Sequence, residues 1–128
     1  MNMNLKILSA LFIVTIGLIS CEPNADLPLL NGCWTRSYEE ESSGDHEIFR
    51  PCDYREFSPS WFRKVYVFKE NNECEYLVLS PVDAHYFENG RWQYFPKTKQ
   101  ISIRNMDNQI VETFKITKLK KDLLKIER

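Results

Sequence analysis

The sequence predicts an all-β fold, a small antiparallel meander β-barrel preceded by a signal peptide. Three observations carry this prediction. From Leu29 onward no apolar stripe at helical spacing exceeds two turns. Short runs rich in Val, Ile, Tyr, Phe and Trp recur instead, with turn residues between them about every 8–12 positions. One uncharged run, residues 7–20, stands apart from an otherwise polar chain.

The apolar run sets the size of the domain. Within residues 1–20, Lys6 is the only charge. As a helix, residues 7–20 would span about 21 Å, short of the roughly 30 Å hydrocarbon core of a bilayer. One cation, an apolar stretch and a small residue at its end are the marks of a secretory signal. Leu18-Ile19-Ser20-Cys21 resembles the lipobox of bacterial lipoproteins. That resemblance implies acylation of the Cys21 thiol, cleavage after Ser20 and lipid anchoring in the cell envelope, on the periplasmic or surface face of the outer membrane. The expected organisation is a signal peptide over 1–20, a Pro-containing tether over 21–28 and a barrel domain over 29–128. The mature chain then has 108 residues, with 16 basic against 18 acidic side chains. Such a balance lacks the basic footprint of a nucleic-acid binder.

The strands follow in order. Asn31-Gly32 opens a segment over 33–39, with Trp34, Arg36 and Tyr38 on one face. Residues 40–60 form an acidic insert with Gly44, Pro51 and Pro59, long enough to pack locally or to cover something. Val65-Tyr66-Val67-Phe68 has high strand propensity, and the turn 70–73 leads to a strand over 74–80. A strand starting at 85–87 is broken by Asn89-Gly90 and continues over 91–95, with Trp92 and Tyr94 on one face. After the turn 96–99, Ile101 and Ile103 alternate with Ser102 and Arg104. Segments 109–118 and 123–128 place Phe114 with Ile116, and Leu124 with Ile126, inward. Seven or eight such strands suit a closed barrel, which removes exposed sheet edges. A sandwich is the competing arrangement.

With Cys21 acylated, Cys33, Cys52 and Cys74 remain, an odd number that allows at most one internal disulfide. All three free, one disulfide, or a reactive thiol are the open alternatives, with Cys52 the best placed for a partner or for reaction. No pair has the spacing of a structural zinc site.

Leu30-Asn31-Gly32-Cys33-Trp34 resembles the first-strand Gly-x-Trp of the lipocalin (calycin) superfamily. There the Trp closes one barrel end against a basic residue near the last strand, which implies a cation–π partner in Arg128 or Lys125. A narrower likeness, to a bacterial lipocalin-like family without an assigned reaction, spans Trp34 to Trp92. It rests on Ser37-Tyr38-Glu39-Glu40, Phe49-Arg50-Pro51, Phe57-Ser58-Pro59-Ser60 with Arg63, Pro81-Val82-Asp83 and Gly90-Arg91-Trp92. Tyr38 stands where that family often has His, and Trp61-Phe62-Arg63 replaces an Arg-Gly-Arg. The resemblance implies a polar site on the matching positions, with Tyr38, Glu39, Arg50 and Asp83 as candidate ligand-binding residues.

Three functional classes are weighed. A lipocalin-like binding module would hold a small apolar or amphipathic molecule at one mouth. The alternative is an envelope interaction or structural protein with a filled barrel, meeting a protein partner through the insert and a patch around Phe57 and Trp61. An enzyme ranks last. Glu39, Glu40, Glu41, Asp45, His46 and Glu47 could in principle hold a divalent cation, but on a strand Glu39 and Glu41 diverge from Glu40, and the cluster reads as a solvated acidic face. Asp83 and His85 read as loop residues rather than an acid–base pair. No cofactor or metal is expected.

Overall fold

Eight strands carry the alternation that the sequence displays, and their sheet closes on itself. The computed structural model describes residues 26–42, 44–82 and 84–128, so the expected signal peptide and Cys21 lie outside the described residues. The strands are β1 Gly32–Arg36, β2 His46–Pro51, β3 Val65–Phe68, β4 Glu73–Leu79, β5 His85–Phe95, β6 Gln100–Asn105, β7 Ile110–Lys120 and β8 Leu123–Glu127. Their order around the barrel is β1-β2-β8-β7-β6-β5-β4-β3, with β3 returning to β1 and all neighbours antiparallel.

The meander holds from β3 to β8 and fails before it. A simple meander would seat β2 beside β3. Instead β2 lies between β1 and β8, so β1 is flanked by β2 and β3. The link 52–64 must therefore return to the start of β3 past β1. Cys33 and Cys52 form a disulfide at the start of that return, and the Cys52 amide donates to the Cys33 carbonyl at 3.1 Å. The disulfide resolves the open cysteine question. Cys74 is free and 2% exposed, and burial pushes its thiol up to about 12.

One end of the barrel is shut by apolar groups. A 3-10 turn, Leu27–Leu30, precedes β1 and packs against the barrel with Leu30 fully buried. The Trp34 indole Nε1 donates to the Leu30 carbonyl at 2.7 Å, which fixes this plug. Gly32 starts β1 at φ 130°, a conformation that disfavours any other residue. Above the plug, Phe49, Tyr66, Phe68, Phe114 and Trp92 fill the interior with ring centroids 5.4–5.7 Å apart. Ile101, Ile103, Leu124 and Ile126 complete the core at 0% exposure.

Two sequence expectations are corrected. β5 runs unbroken through Asn89-Gly90. Gly90 faces the interior, where a Cβ would lie 2.5 Å from the Arg104 carbonyl oxygen and 3.0 Å from the Tyr76 ring, so the glycine admits a close neighbour and does not end the strand. The 40–60 insert is also partly strand: His46–Pro51 is β2, with Phe49 in the core.

Candidate functional site

The end opposite the plug is built from charge. Six of the eight strands continue their inward face at this end to an ionisable position, while β4 continues with Val78 and β6 with Asn105. Arg36 follows Trp34, Lys64 precedes Tyr66, Glu88 precedes Gly90, Glu112 precedes Phe114, Glu47 precedes Phe49, and Arg128 follows Ile126. Strand alternation brings these groups to one mouth.

They are joined into a chain. The Arg36 guanidinium donates to Glu41 at 2.8 Å and lies 3.3 Å from Glu47. Arg128 donates to both Glu47 carboxylate oxygens, at 2.7 and 3.1 Å, and to the Tyr66 hydroxyl at 3.1 Å. The Tyr66 hydroxyl donates in turn to Glu112, which also pairs with the Lys64 ammonium. Lys64 lies against the Tyr66 and Tyr76 rings, 5.2 and 5.6 Å from their centroids, and the Tyr76 hydroxyl donates to Glu88 at 2.9 Å. Glu47, Glu112 and Lys64 side chains are 13–15% exposed, whereas Arg36 is 26% and Arg128 41% exposed, so the chain crosses the mouth half-buried, with its carboxylates drier than its guanidiniums. Burial opposes the Arg128 charge, yet the Glu47 hydrogen bond and Tyr66 raise its pKa. Tyr66 itself is raised, first by burial and then by Glu112.

This geometry corrects the expected cation–π pair. Arg128 lies two residues beyond Ile126, at the far mouth, and pairs with Glu47 and Tyr66 instead of Trp34. Lys125 falls between the buried Leu124 and Ile126 and so takes the opposite face.

A second ionic cluster ties the return segment to β1. Residues Tyr38–Glu40 form a 3-10 turn and not the strand expected, so Glu39, Glu40 and Glu41 fan toward different guanidiniums. Glu39 accepts from Arg63 at 2.7 Å and from Arg55 at 3.3 Å. Glu40 accepts from Arg50 at 2.7 Å and from the Ser37 hydroxyl at 2.7 Å. Hydrogen bonds from Arg63 to Glu39, and from Arg50 to Glu40, hold each carboxyl at about 2. Arg36 and Arg63 cover the Tyr38 ring, 4.5 and 5.5 Å from its centroid, and the Tyr38 hydroxyl donates to the Phe62 carbonyl. Arg50 also donates to the Asp122 carbonyl and covers Tyr54.

Tyr38, Glu39 and Arg50 therefore belong to the clamp on the return segment. Glu39 and Arg50 engage different partners, and Asp83 lies outside the described residues. Among the described residues no group of three or more His, Cys, Asp or Glu converges on a metal-sized site. His85 sets its ring edge against Phe62, 5.6 Å between centroids. That contact joins the return segment to the start of β5 and forms a rim around the mouth. On it Trp61 is 70% exposed, Val82 84%, Phe87 51% and Tyr86 44%, while Phe57 is half-buried between Arg55 and Arg63. Comparison with protein families, curated proteins and solved structures gives no match.

Proposed function

We propose that this chain is a lipid-anchored envelope lipoprotein whose lipocalin-like barrel serves as a filled scaffold and offers its far rim to a protein partner. The observation that carries this reading is the contrast between inside and rim. Touching rings occupy the interior, and a paired chain of charges crosses the mouth, so an enclosed ligand would have to displace both. The exposed large apolar groups at this end include Trp61, Val82, Tyr86 and Phe87 on the rim, with Met106 and Ile110 at the β6–β7 turn. Clustered exposed apolar side chains of this kind mark interaction surfaces, and an aromatic anchor is the usual centre of one.

Topology supports the direction of the rim. The chain enters at Asp26 beside the plug, so a lipid at Cys21 would hold that end toward the membrane and turn the rim away from it. The small-molecule reading remains the alternative outcome of the test. A photo-crosslinking residue at position 61 should give one discrete adduct with an envelope protein, lost when Phe87→Glu is added. The same residue at Thr113, exposed on β7, should give none. Native mass spectrometry of the protein taken from the envelope should show the bare mature mass. A stoichiometric small molecule in that spectrum would overturn the proposal.

A further inference from the structure

We propose that the plugged end of the barrel is a docking surface for the anionic head groups of the membrane in which the anchor sits. The proposal rests on the lipid-anchor reading for its orientation, and on an independent charge distribution for its chemistry.

Antiparallel order fixes which turns share the plugged end. β1 starts there, so β3 ends there, and the β5–β6 and β7–β8 turns follow on the same side. These two turns and the adjoining stretch of β7 carry Lys97, Lys99, Lys115, Lys118, Lys120 and Lys121. All six are exposed, and none has a carboxylate within ion-pair distance among the described residues. Asp53 and Asp122 lie beside Lys121, Glu127 stands opposite Lys115, and Asp26, Glu70 and Glu73 belong to the same end around the plug and the β3–β4 turn, so the cation excess is confined to the side formed by the β5–β6 and β7–β8 turns. The whole chain is nevertheless net negative, so this side of the plugged end carries charge of the opposite sign. By contrast, the guanidiniums of Arg36, Arg50, Arg55, Arg63 and Arg128 are each held by a glutamate.

Two further features suit a lipid surface. Leu29 and Phe95 are each 39% exposed at the same end, placing apolar groups beside the lysines. Lysines with a few apolar side chains are what an interfacial surface offers to head groups. Between the β5–β6 turn and β7 lies an open depression of about 440 Å³, lined by Lys97, Thr98, Lys99, Gln100 and Lys115. Five peptide units separate Cys21 from Asp26, so an acylated Cys21 holds this face within roughly 18 Å of its anchor. Head-group attraction acts over about a Debye length, near 8 Å at physiological salt, and so takes hold once the tether has brought the face down.

The test uses residues 21–128 with Cys21→Ser, since all eight strands and the whole core lie between Leu30 and Glu127. Co-sedimentation compares phosphatidylcholine vesicles with vesicles that also contain phosphatidylglycerol. Binding should rise at least roughly tenfold with phosphatidylglycerol and fall with added salt. Lys97→Glu, Lys99→Glu, Lys120→Glu and Lys121→Glu combined should abolish the gain, and arginine at the same four positions should keep it. Circular dichroism checks that the variants fold. Equal binding to both vesicles, or a gain that survives the glutamates, would overturn the proposal. Retention on a soluble polyanion without vesicle binding would also overturn it. The lipid anchor is read separately, from the mass of the Cys21 peptide of the native chain. An unmodified Cys21 would sink the anchor reading while leaving a vesicle result intact.

Discussion

The two ends of the barrel close by opposite means. At the tether end, Leu30, Trp34 and the rings above them exclude water by packing. At the far end, Glu41, Arg36, Glu47, Arg128, Tyr66, Glu112 and Lys64 span the mouth by pairing. Packing tolerates loss poorly because the neighbours cannot collapse into a hole. A chain of pairs loses strength in a different way, since removing one link leaves its partners half-buried and unmatched.

Phe114→Ala, at the centre of the packed half, should have the largest effect, about 3–5 kcal/mol of stability in urea unfolding. A cost near zero would show that the interior is not filled as described. Glu47→Ala, in the paired half, leaves two guanidiniums without their shared carboxylate and should cost about 1–3 kcal/mol. A double-mutant cycle of Glu47→Ala with Arg128→Ala should return a coupling of at least about 0.5 kcal/mol. Additive effects would mean that the mouth is only loosely joined.

The smallest effect concerns the outer clamp. Glu39 and Glu40 titrate at about 2 in the folded chain, against an ordinary value of 4.5. Their folded pKa is depressed, so the clamp contributes fully above about pH 4.5 and is lost as pH falls toward about 2. Both groups are largely exposed, so the gain is modest. Cleavage of the return segment by an acid protease should stay slow at pH 4 and quicken near pH 2. Rapid cleavage already at pH 4 would show that the clamp does not hold the segment.

Much of the barrel was legible because inward and outward residues alternate at a period of two. Ile101 with Ile103, Phe114 with Ile116, and Leu124 with Ile126 all face the core as expected. β2 escaped notice because its inward face reads Glu47, Phe49, Pro51, with one fully buried apolar residue among the three. Missing β2 also hid the departure from a meander, since strand order depends on long-range pairing. The paired mouth was hidden for a related reason. Its charges look solvated when read singly, and only the continued alternation past Trp34, Tyr66, Phe114 and Ile126 carries them inward. Asn89-Gly90 misled because the pair usually marks a turn, whereas here the bare Cα makes room for the Tyr76 ring.

The seat of β1 has a mechanical consequence. Any pull arriving through the N-terminus enters at Asp26 and is delivered along β1. β1 is hydrogen-bonded on both sides, to β2 and to β3, and its pairs lie across the direction of that load. They must fail together in shear instead of unzipping one at a time. The bridge from Cys33 to Cys52 passes part of the load to β2, and from there to β8. A leash fastened at this point would tug on a strand paired on both sides and cross-linked beyond its own ladder.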